Sequence, residues 1–259
     1  MGHIRLGALS QSRKWRQVVE LLETGGSVEE IARASATAAE RSLASAADDG
    51  VFQYVARLLV ELPLAARAPG FDEALADIGI AQGAHRSLPE LMAAISDAID
   101  RRALLLGGRS DLGEMAQMAL IESLSATLNQ QLPTLFEPEP REIRRALGQL
   151  SSGQRFAGFA RSFFARLIHR SLDYYLSREL SNHVGPGERF ASDADRVAFD
   201  RSLAQHAFET ARIVEDFAGG WYGKTVWQKD GLTPQKIDKF TRFAFKKVRD
   251  ELGRRREVA

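Results

Sequence analysis

The sequence predicts an all-α, multi-helix, bundle-like protein. Apolar residues recur three and four apart in almost every segment of useful length. Glycine and proline punctuate those segments at helix-sized intervals. No run alternates Val, Ile and Thr, and no Asn-Gly hairpin signal occurs.

The elements follow in order. Ser12 to Glu23 forms a first helix, with Trp15, Val18, Val19 and Leu22 on one face and Gly25-Gly26 as its stop. Ser27-Val28-Glu29-Glu30 is a capping box, and the Ala-rich stretch behind it carries a helix to about Asp48. Gly50 breaks it. Val51 to Leu62 is a third helix ending at Pro63. Phe71 to Ile78 is short. Ser87 caps a helix with Leu91, Ile95, Ala98 and Ile99 inward, stopped by Gly107-Gly108. Ser110-Asp111 caps the next, which runs through Leu132 to Pro133.

Glu137-Pro138-Glu139-Pro140 is the clearest break, because two prolines two apart forbid helix there. It divides an N-terminal helical subdomain, 1–136, from a C-terminal one, 141–259, the two sharing a core. After a short helix from Pro140 to Leu150, residues 151–183 read as one long central helix. Its apolar residues lie around most of its circumference, which suits a helix surrounded by others. Gly185-Pro186-Gly187 ends it. Asp193 to Phe217 reads as a single helix, and Lys229-Asp230-Gly231 as a turn. Thr233-Pro234 starts a terminal helix, with a capping Thr before a proline in the first turn.

The 259 residues contain no cysteine, which excludes disulfides, thiolate metal sites and a cysteine nucleophile and suits a reducing cytoplasm. No signal-peptide core is expected, and the most apolar run, VFQYVARLLVELPLAA, is interrupted by Arg57, Glu61 and Pro63, so no membrane partner is expected.

The net charge of +1 hides an asymmetry. From Trp221 onward eleven basic residues face five acidic ones, a net +6 that leaves −5 on the first 220 residues. On the terminal helix Ile237, Phe240, Ala244, Val248 and Leu252 form an apolar stripe, and Lys239, Arg242, Lys246 and Arg249 fall on the opposite face. Such a row either contacts a phosphate backbone or an acidic partner, or is simply solvated.

Residues 218–225, A-G-G-W-Y-G-K-T, fit a relaxed phosphate-loop pattern. A working loop needs a buried strand before it and a helix after it. Here an amphipathic helix precedes it, and Trp221 and Tyr222 place bulk where backbone should wrap phosphate. No nucleotide site is expected. The stretch reads instead as a helix–helix connection, with Gly219-Gly220 ending the preceding helix and Trp221, Tyr222 and Trp227 as packing or contact residues beside Lys224. Near the start, LLETGGSVEEIARAS resembles half of a helix-turn-helix, but no recognition helix follows.

Chemistry is sparsely signalled. His169 and Asp173, four apart on the central helix, can orient an imidazole, with His183 on the same face and His206 elsewhere as a further ligand candidate. H-E-x-x-H, G-x-S-x-G and G-x-G-x-x-G are all absent, and neither metal nor cofactor is expected. The sequence therefore points to a non-catalytic interaction or accessory subunit of a larger cytoplasmic assembly. Its partner is another protein, met through Trp221, Tyr222, Lys224, Trp227 and the basic row. The alternatives are a nucleic-acid-binding protein, taking DNA or RNA on that row, and a helical enzyme or metal site around His169, Asp173 and His183.

Overall fold

The computed structural model describes residues 6, 12–46, 48–133, 137–228 and 231–254. The protein is all-α. Its N-terminal half contains α1 (Arg13–Glu23), α2 (Val28–Ala46), α3 (Gly50–Ala65), α4 (Phe71–Asp77), α5 (Leu88–Leu105) and α6 (Asp111–Asn129). Then follow α7 (Pro140–Gln149), α8 (Gly153–Leu180), a 3₁₀ turn (Ser181–His183), α9 (Asp193–Thr210), α10 (Arg212–Val226) and α11 (Pro234–Gly253). Among the described residues the β-type pairing is limited to an isolated bridge between Val184 and Phe190. No described helix is long and apolar enough to cross a membrane.

Local chemistry sets most helix starts. The Ser12, Asp49, Ser87, Ser110, Ser152 and Thr233 side chains each accept an amide from the first turn that follows. At α2 the capping box closes both ways, with the Glu30 amide donating to Ser27 Oγ at 3.2 Å and the Ser27 amide to Glu30 Oε2 at 2.8 Å. Gly25, at φ 77°, ends α1 in the left-handed conformation while the Gly26 amide reaches back to the Leu21 carbonyl. α2 then runs unbroken through Ala34–Ala39, so this region holds no helix-turn-helix.

Besides α6, which ends at Asn129 rather than running through Leu132, three boundaries differ from the sequence expectation. First, α3 continues past Pro63 to Ala65. The proline sits in the last turn, where its missing N–H deprives only the Leu59 carbonyl. The Arg144 side chain secures the chain just beyond by donating to the carbonyls of Ala66 (3.1 Å) and Ala68 (2.5 Å).

Second, the helix expected over Asp193–Phe217 is two helices meeting at Ala211. No glycine or proline marks this corner. Arg161, from α8, braces it: Nε donates to the Phe208 carbonyl at the end of α9, and Nη1 pairs with Glu215 in the first turn of α10 at 2.7 Å. Its guanidinium also lies over the Phe208 ring.

Third, Gly219-Gly220 does not end a helix. Residues 218–225 lie wholly within α10, whose buried face is Val214, Ala218, Tyr222 and Thr225. Burial of that face outweighs the low helix propensity of three glycines. The turn expected at Lys229-Asp230-Gly231 falls mostly outside the described residues.

The centre of the fold is α8. Fourteen of its side chains are buried, among them Phe156, Phe159, Phe163, Phe164, Leu167 and Leu176. Neighbours α6, α9 and α10 pack directly along it, and α2 and α11 also touch it. One buried cluster runs through both segments flanking 137–140, because α11 packs on α2 and α3. α10 approaches α8 closely at Gly153 and Gly219. A Cβ on Gly219 would lie 2.8 Å from the Gly153 carbonyl oxygen, whereas Gly220 and Gly223 face open space.

Three expectations follow for urea unfolding. Gly219→Ala should destabilise by about 1–3 kcal/mol, since backbone must move to admit the methyl. Gly220→Ala and Gly223→Ala should each stabilise by about 0.5–1 kcal/mol. Arg161→Ala should cost about 1–3 kcal/mol through its charge-assisted bonds, although no local sequence signal marks the corner.

Candidate interaction surface at the C-terminal helices

The last two helices lie side by side in antiparallel order, as their ring contacts record. Trp221 of α10 stacks on Phe240 of α11 with centroids 4.0 Å apart and planes 16° from parallel. Phe217, one turn earlier on α10, meets Phe243, almost one turn later on α11, edge-on at 5.0 Å. Tyr222 turns the other way. It is fully buried, stacks on Phe156 of α8 at 3.9 Å, and its hydroxyl donates to the Val60 carbonyl at 3.4 Å. Burial raises its pKa well above the ordinary phenol range.

The aromatic residues singled out by sequence therefore separate into three roles. Tyr222 is core, Trp221 is a half-buried seam between helices, and Trp227 stands in solvent at the end of α10 with 83% of its surface exposed. A fourth residue, Phe243, belongs with Trp227. It is 47% exposed, it lies on the face of α11 taken as basic, and Lys247 sits over its ring. Its place between Arg242 and Ala244, off the apolar stripe, was the available signal.

The cations of the row differ in their engagement. Arg242 pairs with Asp48 at 2.6 Å, and Lys246 with Asp250 at 2.6 Å. Arg249 is half-buried. It lies over the Phe245 ring and donates to the Glu40 carbonyl of α2, and burial lowers its pKa. Lys239 and Lys224 are exposed and make no ion pair with a described residue. Two of the four cations thus help attach α11 to α2 and the chain that follows it.

The histidines lie apart. His169 Nε2 is 2.8 Å from Asp200 Oδ1 on α9, so its hydrogen-bond partner is a residue distant in sequence rather than Asp173. Asp173 belongs to the same group by charge. Its pKa is raised, first by burial and then by Asp200, against the pull of His169, Arg170 and Arg196. His183 is buried in the 3₁₀ turn, 3.7 Å from Glu179 and 4.0 Å from Glu188. Fourteen residues of helical chain separate it from His169, about 20 Å, so the two do not share a cleft. His206 lines a different cleft of about 440 Å³, beside Glu29, Glu30, Arg33, Glu251 and Arg254. Glu30 is already committed there to Ser27, whose amide and hydroxyl hold its carboxyl below the usual value. Among the described residues no group of three His, Asp or Glu side chains is arranged to hold a metal ion.

Compared with known proteins, the chain matches no family model, and no curated protein or solved structure resembles it significantly.

The raised pKa of Asp173 has a sign that can be measured. The folded protein holds this proton more tightly than the unfolded chain does. Ionising Asp173 therefore opposes folding once pH climbs through the window between the unfolded and folded values. Asp173→Asn should gain stability relative to the parent as pH rises from about 3 to 7, read from urea midpoints across that range. A difference moving the other way would mean that His169, Arg170 and Arg196 dominate.

Proposed function

We propose that this chain is a non-catalytic interaction subunit of a larger cytoplasmic assembly, docking a protein partner on the surface formed by the C-terminal end of α10 and the outer face of α11. The observation that carries this reading is Trp227. A tryptophan with most of its surface in water, at the end of a helix whose other aromatic residues are packed, contributes little to folding. Trp is enriched among residues that dominate binding energy. Phe243 supplies a second exposed aromatic group, and Lys224 and Lys239 give the surface a positive rim suited to an acidic partner.

Nucleic acid on the same helix has less behind it, since Arg249 is half-buried against α2 and the carboxylates of Asp48 and Asp250 beside Arg242 and Lys246 would repel a phosphate backbone. A catalytic centre that joins His183 to His169 and Asp173 has less still, since His183 lies about 20 Å along the chain from His169.

Trp227→Ala and Phe243→Ala should each leave stability within about 0.5 kcal/mol of the parent. Each should reduce recovery of a nuclease-resistant partner from the native host by about tenfold or more, as truncating a binding anchor does. Recovery unchanged in both variants rejects this surface. Recovery lost on nuclease treatment transfers the reading to nucleic acid.

A further inference from the structure

A separate surface, at the far end of α3, collects arginines in a way that neither the terminal helix nor the aromatic seam shares. Arg67 follows α3. Arg141, Arg144 and Arg145 come from α7, where positions 141 and 145 stand one above the other on the helix. All four line one shallow cleft of about 360 Å³, floored by Ala66 and Gly148 and completed by Gln149. No carboxylate of a described residue lines it.

The four have distinct commitments. Arg144 is fixed in place, bonded to the carbonyls of Ala66 and Ala68 and lying over the Phe71 ring. Arg67 is exposed and donates to Ser151 Oγ at 3.2 Å. Arg141 pairs with Glu139 at 2.5 Å, but with 83% of its side chain in solvent the pair is screened and readily exchanged. Arg145 is exposed and makes no hydrogen bond or ion pair with a described residue.

We propose that this cleft binds phosphate groups, through the guanidinium groups of Arg67, Arg141 and Arg145 arranged around the fixed Arg144. Guanidinium forks match phosphate oxygens two at a time. A single carboxylate would neutralise one of the converging charges, whereas linked phosphates, free or in a backbone, bring several charges on one ligand, each with oxygens that a guanidinium fork can engage. The described residues lining the cleft include no aromatic ring on which a base could stack, which favours recognition of the phosphates themselves. Two sources share this chemistry: a free oligophosphate and the phosphodiester backbone of a single-stranded nucleic acid.

The test is a titration of the full chain with tripolyphosphate and, separately, with a short labelled single-stranded DNA, at low salt. The variants are Arg67→Gln and Arg145→Gln, both at exposed positions, with the exposed Arg201→Gln on α9 as the control and thermal unfolding as the check on folding. Tripolyphosphate should bind the parent and weaken by about tenfold for each arginine removed, as loss of a charge-assisted contact predicts. The control should bind like the parent. DNA that binds with the same arginine dependence, and is displaced by tripolyphosphate, supports the site and names the phosphodiester backbone as its source. Tripolyphosphate bound without DNA supports the site and names a free oligophosphate. Binding of neither, or equal losses in the arginine variants and the control, overturns the proposal.

Discussion

Everything in this fold leans on the burial of α8. A helix of 28 residues that is apolar on most sides must be enclosed, and no single neighbour is wide enough to do it. α6, α9 and α10 each give it one face. The approach of α10 is then fixed by backbone contact between Gly153 and Gly219, which sets how deeply Tyr222 reaches to stack on Phe156. Once α10 is seated, Phe217 and Trp221 meet Phe240 of α11 at the margin of the core. The exposed Trp227 and Phe243 are thus what remains on the outside after α8 has been covered.

This hierarchy explains what was legible in the sequence. Helix starts were legible, because a Ser or Thr cap acts on amides two or three residues away and the whole interaction lies in one short string. The long central helix was legible too, since its apolar residues are crowded into an unbroken run. The corner at Ala211 was not, because the device that holds it is Arg161, some fifty residues earlier. Gly219-Gly220 misled for a related reason. In isolation two glycines end a helix, but a tertiary contact that needs bare backbone at one of them also keeps the helix going. The glycine signal was real, and its cause was close packing rather than a turn.

Charge followed the same pattern. Spacing placed Lys239, Arg242, Lys246 and Arg249 on one side of α11, away from its apolar stripe. Spacing along one helix cannot show that Glu40 of α2 and Asp48 just beyond α2 come to meet that side. Those contacts convert part of an apparent ligand surface into an attachment between helices. Likewise His169 and Asp173 stand at the right interval for a pair, yet Asp200 of α9 takes the imidazole.

The arginine cleft invites the same deflationary reading, because the C-terminal end of a helix attracts cations. That account suffices for Arg144, which satisfies carbonyls just beyond the end of α3 while resting on Phe71. It does not extend to the others. With those carbonyls engaged, Arg145 makes no such contact, Arg67 reaches a hydroxyl, and Arg141 holds a solvent-screened carboxylate. On α11 the cations found acidic partners within the chain; here they converge without one lining the cleft. Like charges held together repel unless something offsets them, and among the described residues the cleft's arginines have one screened carboxylate partner, Glu139. A multiply charged anion meets that requirement, and Arg144, held by its carbonyl bonds, is in place before the anion arrives.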